Sequence, residues 1–218
     1  MLREVFGGRW YNRLMELEDI IDVNEHFGPI YPYVARQVAQ AYGRMDGSAL
    51  EMGPFAGGVS IELARACPGL SITLGDGFPG LLPYFQEKVT QAGLGARIEV
   101  REIDKLGLPF DDGSFDLVVF RGALFFWEDS RQILTEMSRV LRRGGLAMAG
   151  GGFGAETPDS LIDAVLERSR ELNRRLGKRV LSEGELLALL KETGVEAYAY
   201  IDRRHGLWAA IRKPAVSE

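Results

Sequence analysis

The sequence predicts an α/β fold with a mostly parallel sheet. Three observations carry this: short apolar runs alternate with helix-period segments, three of those runs close on a carboxylate, and glycine-rich turns connect them.

Taken in order, residues 1–47 precede the first run and read as helices. Leu14, Leu17, Ile20 and Ile21 make one helical face, and Tyr33 to Tyr42 reads as a second helix. Between them, His26-Phe27-Gly28-Pro29-Ile30-Tyr31-Pro32-Tyr33 is rich in aromatics and turn residues. It reads either as a wall over a ligand or as aromatics pinning a loop to the core. Ser48-Ala49-Leu50 then ends a strand at Glu51, Gly53-Pro54-Phe55-Ala56-Gly57-Gly58 turns the chain, and Val59, Ile61, Leu63 and Ala64 supply a helix packed on the sheet. Glycines at such a turn let backbone approach a ligand and leave helix N-terminal amides free to donate. Ser71 to Asp76 reads as a second strand and Ile98 to Asp104 as a third, each with a terminal acid. Asp76 lies 25 positions after Glu51, where a carboxylate can accept both hydrogen bonds from a ribose diol. Asp111-Asp112-Gly113-Ser114 is a turn, and Phe115 to Phe120 is apolar enough to be covered on both faces. Leu134, Met137, Val140 and Leu141 fall at helical spacing, Gly144-Gly145 is read as closing that helix, and Leu146 to Ala149 is a fifth strand. Leu161, Val165, Leu172 and Leu176 place an amphipathic helix over 159–176. Ser182 with Glu185 forms a capping box, Gly194 ends that helix, and the runs Val195 to Ile201 and Leu207 to Ile211 make a terminal hairpin.

The glycine spacing narrows the ligand. A dinucleotide turn needs G-x-G-x-x-G, with its second glycine making room for a pyrophosphate. Phe55 stands at that position and crowds a diphosphate, whereas a cofactor without phosphates makes no such demand. From Glu51 to Gly57 the chain resembles motif I of the class I S-adenosylmethionine-dependent methyltransferases, acid-x-Gly-x-Gly-x-Gly, with Phe55 the departure. Leu108-Pro109-Phe110-Asp111-Asp112-Gly113-Ser114-Phe115-Asp116-Leu117-Val118-Val119 is similar to the turn and fourth strand of these enzymes almost letter for letter, and Leu141-Arg142-Arg143-Gly144-Gly145 has arginine where the family usually has proline. The resemblance covers roughly Ala49 to Ala149.

The resemblance implies a Rossmann-like, seven-stranded, mostly parallel sheet with helices on both faces and an antiparallel last strand. It implies one domain over 1–218: an N-terminal helical cap (1–47), a cofactor-binding core (48–149), an inserted helical lid (150–181), and a C-terminal helix and hairpin (182–218). It implies S-adenosylmethionine as cofactor and methyl transfer to a small-molecule acceptor. Glu51 would order the turn and the methionine amino end, with Gly53, Pro54 and Gly57 admitting the cofactor. Asp76 with Gly77 would hold the ribose, Asp104 and the Lys105 amide would read adenine, and Arg121 would meet the cofactor carboxylate or an anionic substrate. No residue is assigned as catalytic, because the sulfonium methyl is already activated and the protein mainly aligns the acceptor and excludes water.

The substrate lip is drawn from Tyr11, His26, Tyr31 and Trp127, the last within an apolar stretch after strand four. His26 invites a general-base role through its near-neutral titration, against a structural role for a lone loop histidine. Gly150-Gly151-Gly152-Phe153-Gly154 reads as a hinge, or as glycines satisfying positive backbone angles. Arg168, Arg170, Arg174 and Arg175, followed by Lys178 and Arg179, offer an attraction for an acidic partner or a solvated helix face.

Composition excludes several classes. With 218 residues, 46% hydrophobic, the chain can bury a full core. A net charge of −5 argues against a nucleic-acid or anionic-membrane surface. Cys67 is the single cysteine, so no internal disulfide, cysteine zinc cluster or other metal centre is expected. Met1-Leu2-Arg3-Glu4 lacks a signal-peptide core and no eighteen apolar residues run together, so a cytoplasmic location is expected. Nothing in the sequence signals an oligomeric state. Two competing readings are a nicotinamide oxidoreductase and a non-catalytic adenosyl-cofactor-binding module. A wide cleft bordered by 10–35 and 150–180 would favour an enzyme, and a site filled by Phe55, Phe126 and Trp127 the module.

Overall fold

The computed structural model describes residues 16–78, 80–122, 129–177, 179 and 181–215. Tyr11, Phe126, Trp127 and Lys178 lie outside the described residues.

Seven strands form one sheet in the order β3-β2-β1-β4-β5-β7-β6. The strands are β1 (Asp46–Met52), β2 (Gly69–Asp76), β3 (Ile98–Glu102), β4 (Phe115–Arg121), β5 (Leu141–Gly152), β6 (Ala199–Asp202) and β7 (Gly206–Arg212). β1 to β5 run parallel, and β7 lies antiparallel to both β5 and β6, as expected for the last strand. Glu51 is in register with Leu74 on one side and Val119 on the other, so the first acid sits at the centre of the sheet's carboxyl edge.

The helices are α1 (Leu17–His26), α2 (Tyr31–Tyr42), α3 (Gly58–Ala66), α4 (Leu81–Gln91), α5 (Ser130–Val140), α6 (Asp159–Arg175) and α7 (Glu183–Glu192). α2 packs on α3 and α5 on α7. Every residue of β4 is buried, which requires cover on both faces of the central strand. Among the described residues no helix is long and apolar enough to cross a membrane.

Local chemistry sets the boundaries. Gly43, at φ 74°, stops α2 in a left-handed conformation that glycine adopts without a Cβ clash. The capping box at Ser182 and Glu185 starts α7 as predicted, while Thr193 closes it one residue before Gly194. Three boundaries differ from expectation. The stretch His26 to Tyr33 is not an open loop: α1 runs through His26, a 3₁₀ turn spans Gly28–Ile30, and α2 begins at Tyr31. α5 ends at Val140, before the glycines, and Leu141 already pairs with Phe115, with a register shift before Leu117 meets Leu146. β3 stops at Glu102, which leaves Asp104 past the strand end.

The family-like stretch before β4 is held by side chains. Glu136 accepts from the Leu108 amide at 2.8 Å, and Arg139 donates to Glu136, Asp112 and the Leu108 and Phe110 carbonyls. Asp116 accepts from Ser48, Arg44 and Arg142, and these bonds hold its carboxyl below the usual range despite burial. The motif thus stitches β1, β4 and the start of β5 together.

Candidate active site

Glu51 is 1% exposed, and its Oε2 accepts from the Gly57 amide at 3.0 Å, the Ser60 amide at 2.8 Å and the Ser60 hydroxyl at 2.5 Å. The carboxylate therefore caps α3, because free helix N-terminal amides favour an anion. Gly57, at φ 96°, makes the turn that aims those amides inward. Oε1 has no hydrogen-bond partner among the described residues. Burial raises the Glu51 pKa, opposed by the bonds from Ser60 and Gly57 and by the charge of Arg121.

Arg121, at the end of β4, is the matching cation. It is 4% exposed, its Nε has no partner among the described residues, and its guanidinium lies 4.6 Å from the Phe27 ring centroid and 5.1 Å from that of Tyr31. Burial lowers its pKa, opposed by Tyr31 and Glu51. Tyr31 donates to Asn24 Oδ1 at 3.0 Å, and Asn24 donates to the Pro54 carbonyl at 3.0 Å, so α1 and α2 cover the turn. Burial pushes the Tyr31 hydroxyl up to about 12, so it stays protonated near neutrality. Tyr31 thus backs Arg121 and lines a separate hollow of about 160 Å³ with Gly57, Gly58 and Tyr84.

Phe55, 2% exposed, fills the position that a pyrophosphate turn leaves open. A Cβ on the facing Gly122 would lie 3.2 Å from its ring, so space there is already taken.

Asp76 is fully buried, and its Oδ1 accepts from the Phe78 amide and Oδ2 from Lys105 Nζ, both at 2.7 Å. Sequence reasoning assigned Lys105 only a backbone amide; its side chain proves to be the counter-ion of Asp76, and nothing in the spacing announces that the side chain turns inward. A Cβ on Gly53 would lie 2.5 Å from Asp76 Oδ2, and one on Gly77 2.9 Å from the Ile103 carbonyl, so both glycines permit close approach. Asp104 is exposed, with Oδ1 accepting from the Leu106 amide at 2.9 Å.

A cavity of about 620 Å³ opens beside Phe55 and Arg121, beyond the carboxyl ends of β4 and β5. Val23 of α1, Phe27 just past its end, Phe153, and Ile162 and Leu166 of α6 supply apolar walls; Ser169, Arg170, Asn173 and His205 supply polar groups. Its size falls within the range of small-ligand pockets. His26 does not line it: its Nε2 pairs with the Val165 carbonyl at 2.9 Å and ties α1 to α6. Half of the basic face of α6 is paired, Arg175 with Asp19 and Asp22 and Arg168 with Asp22 and Glu171, and Arg179 beyond it pairs with Glu185. Gly150 to Gly152 form the end of β5, paired with Trp208, Leu207 and Gly206, and Cβ atoms on Gly150, Gly152 or Gly206 would collide with the opposing backbone. Among the described residues, no three His, Cys, Asp or Glu side chains gather as a metal site.

Comparison with known proteins places this geometry. A methyltransferase-domain family model matches residues 50–149, the stretch from β1 to β5. A crystal structure from Methanococcus maripaludis is 28% identical over 96% of this chain and 99% of its own, at a TM-score of 0.79; its assignment as an S-adenosyl-L-methionine-dependent methyltransferase is itself provisional. Residues 50–149 are thus similar to the methyltransferase-domain family, and the chain shares the fold of that neighbour over almost its whole length.

Among curated relatives, Methyltransferase GfsG of Streptomyces halstedii is 29% identical over 76% of this chain, and a demethylmenaquinone methyltransferase of Thermus thermophilus 29% identical over 58%. The chain spans 63% and 57% of their respective lengths. S-adenosylmethionine is the cofactor of this family, and the methyltransferase turn fits its methionine end. The orphaned Glu51 carboxylate oxygen and the orphaned guanidinium nitrogen of Arg121, which lines the cavity, have the charges to receive an α-ammonium and an α-carboxylate. A ribose diol at Asp76 would have to share the carboxylate's lone pairs with the Phe78 amide and Lys105 Nζ, which a carboxylate with about four acceptor positions allows.

Proposed function

We propose that this chain transfers a methyl group from S-adenosylmethionine to a small apolar acceptor held in the 620 Å³ cavity. The observation that carries the reading is a pair of buried, oppositely charged groups with unsatisfied atoms, Glu51 and Arg121, which feel each other's charge and of which Arg121 lines an open, mainly apolar cavity at the carboxyl edge of the sheet. Bound there, the cofactor supplies an electrophilic methyl on a sulfonium. Glu51 Oε1 accepts from the α-ammonium and Arg121 meets the α-carboxylate. Asp76 accepts from the ribose hydroxyls, and Asp104 with the Lys105 amide reads adenine. Phe27, Phe55 and Phe153 exclude water and align the acceptor, which is most of what an activated methyl requires. The relatives named for demethylmenaquinone act on an apolar ring compound, and apolar walls suit an acceptor of that kind.

The cleft lies between residues 23–27 and 151–173, where an enzyme rather than a passive binding module was expected to have one. Against a nicotinamide oxidoreductase stands Phe55, buried where a pyrophosphate would pass. Calorimetric titration with S-adenosylhomocysteine, with NAD in parallel, tests the reading. Micromolar binding of the former alone is expected, and absence of binding overturns it. Asp76→Ala should weaken that binding about tenfold or more through loss of charge-assisted hydrogen bonds; unchanged affinity would refute the ribose assignment.

A further inference from the structure

Of the two histidines in the chain, His26 is tied to α6, which leaves His205 in the turn between β6 and β7. His205 lines the 620 Å³ cavity and is exposed to solvent. Its backbone sits at φ 49°, the one non-glycine residue among the described residues in the left-handed region. Such a conformation persists only where the surroundings enforce it, and it concentrates at functional sites. Here the enforcement is visible. Phe153 N donates to the His205 carbonyl at 2.9 Å, Gly152 pairs with Gly206, and glycine is sterically required on both sides of that pair.

The ring is oriented as well as placed. His205 Nδ1 lies 3.1 Å from the Gly154 carbonyl oxygen. A carbonyl only accepts, so Nδ1 carries the hydrogen, and in the neutral ring Nε2 keeps its lone pair. A histidine held by one nitrogen to backbone, with the other unprotonated beside a substrate cavity, has the arrangement of a general base.

We infer that His205 is the general base of this enzyme, and that the acceptor presents a phenolic or enolic hydroxyl on an apolar body. The inference rests on the methyltransferase reading above. A neutral amine offers a lone pair without losing a proton first, and a thiol ionises near neutrality unaided; a hydroxyl needs its proton removed as the new bond forms. His205 Nε2 takes that proton, and the acceptor oxygen bonds to the methyl carbon. The carbon–sulfur bond breaks with its electron pair left on sulfur. The exposed imidazolium then passes the proton to water, so the products are a methyl ether, S-adenosylhomocysteine and a proton.

The test uses the whole chain, methyl-labelled S-adenosylmethionine, and a panel of naphthols, catechols and hydroxyquinones. Asn tolerates the left-handed backbone and can keep the bond to Gly154, and Gly adopts it freely, so His205→Asn and His205→Gly are chosen to fold. Both should lose about 10²–10⁴-fold in kcat with acceptor KM and S-adenosylhomocysteine affinity unchanged. Added imidazole should restore part of the activity of the glycine variant and none of that of the asparagine variant. Retention of kcat within a few-fold in His205→Asn overturns the base. Wild-type protein that binds S-adenosylhomocysteine yet methylates no member of the panel overturns the hydroxyl acceptor while leaving the methyltransferase reading intact. Wild-type protein that does not bind S-adenosylhomocysteine overturns both. Long-range proton–nitrogen correlation of the neutral ring gives an independent check, and a hydrogen found on Nε2 refutes the assignment.

Discussion

At the residue scale, Glu51 does two jobs with two oxygens. Oε2 caps α3, and Oε1 is buried with no partner among the described residues. Glu51→Gln separates these jobs, since the amide oxygen can still accept from Gly57 and Ser60 while the amide nitrogen repels an ammonium. S-adenosylhomocysteine affinity should fall about tenfold or more in calorimetry with the fold retained; equal affinity would show that Oε1 meets no donor. The acids at the strand ends were legible because an α/β sheet delivers ligands there, so position along the chain maps onto position in space. Arg121 was visible as a residue but its burial was not, since the rings of Phe27 and Tyr31 that enclose it lie some ninety residues away. His205 falls between the two runs of the terminal hairpin with nothing in the sequence to single it out; a cavity assembled from α1, α6 and strand ends has no local signature.

At the element scale, the β6–β7 turn depends on one carboxylate. Asp202 accepts from the Arg204 amide and guanidinium and from Gln37 Nε2, joining the hairpin to α2. The Arg204 bonds, opposed by burial, hold its pKa down from 3.8 to about 2. A depressed carboxylate stabilises the fold above its unfolded value, and that contribution is lost as pH falls through the folded value. Asp202→Asn should therefore cost about 2 kcal/mol at pH 7, with the gap to wild type closing between pH 4 and 2 in urea midpoints. A gap that does not change with pH would show that the charge is immaterial. Helix periodicity revealed α6 and its basic face, but not that Asp19 and Asp22 of α1 answer it. A helix face reads as solvated until the tertiary partner is known. The tight pairing of Gly150 to Gly152 with β7 was hidden for a similar reason: a single strand's sequence does not show how closely the next backbone will approach.

At the scale of the whole molecule, strand order, the antiparallel last strand and the helical cover follow the family resemblance closely. α1 and α6 are tied together by His26 Nε2 and the Val165 carbonyl, and both helices contribute residues to the cavity wall. A ligand that binds the folded chain alone must stabilise all of it. At a hundred times its Kd, S-adenosylhomocysteine should add about 2.7 kcal/mol to unfolding and raise Tm by about 5–10 °C in calorimetry. A flat response at that saturation would show that binding does not select the native state.

Phe55 has a consequence for life among crowded metabolites. A site that merely prefers one nucleotide over another is at the mercy of their concentration ratio, because occupancy follows abundance as well as affinity. A ring packed against Gly122 refuses a diphosphate by volume. Such a refusal is insensitive to how much dinucleotide surrounds the protein, so the chain keeps its selectivity across metabolic states without any regulator to enforce it.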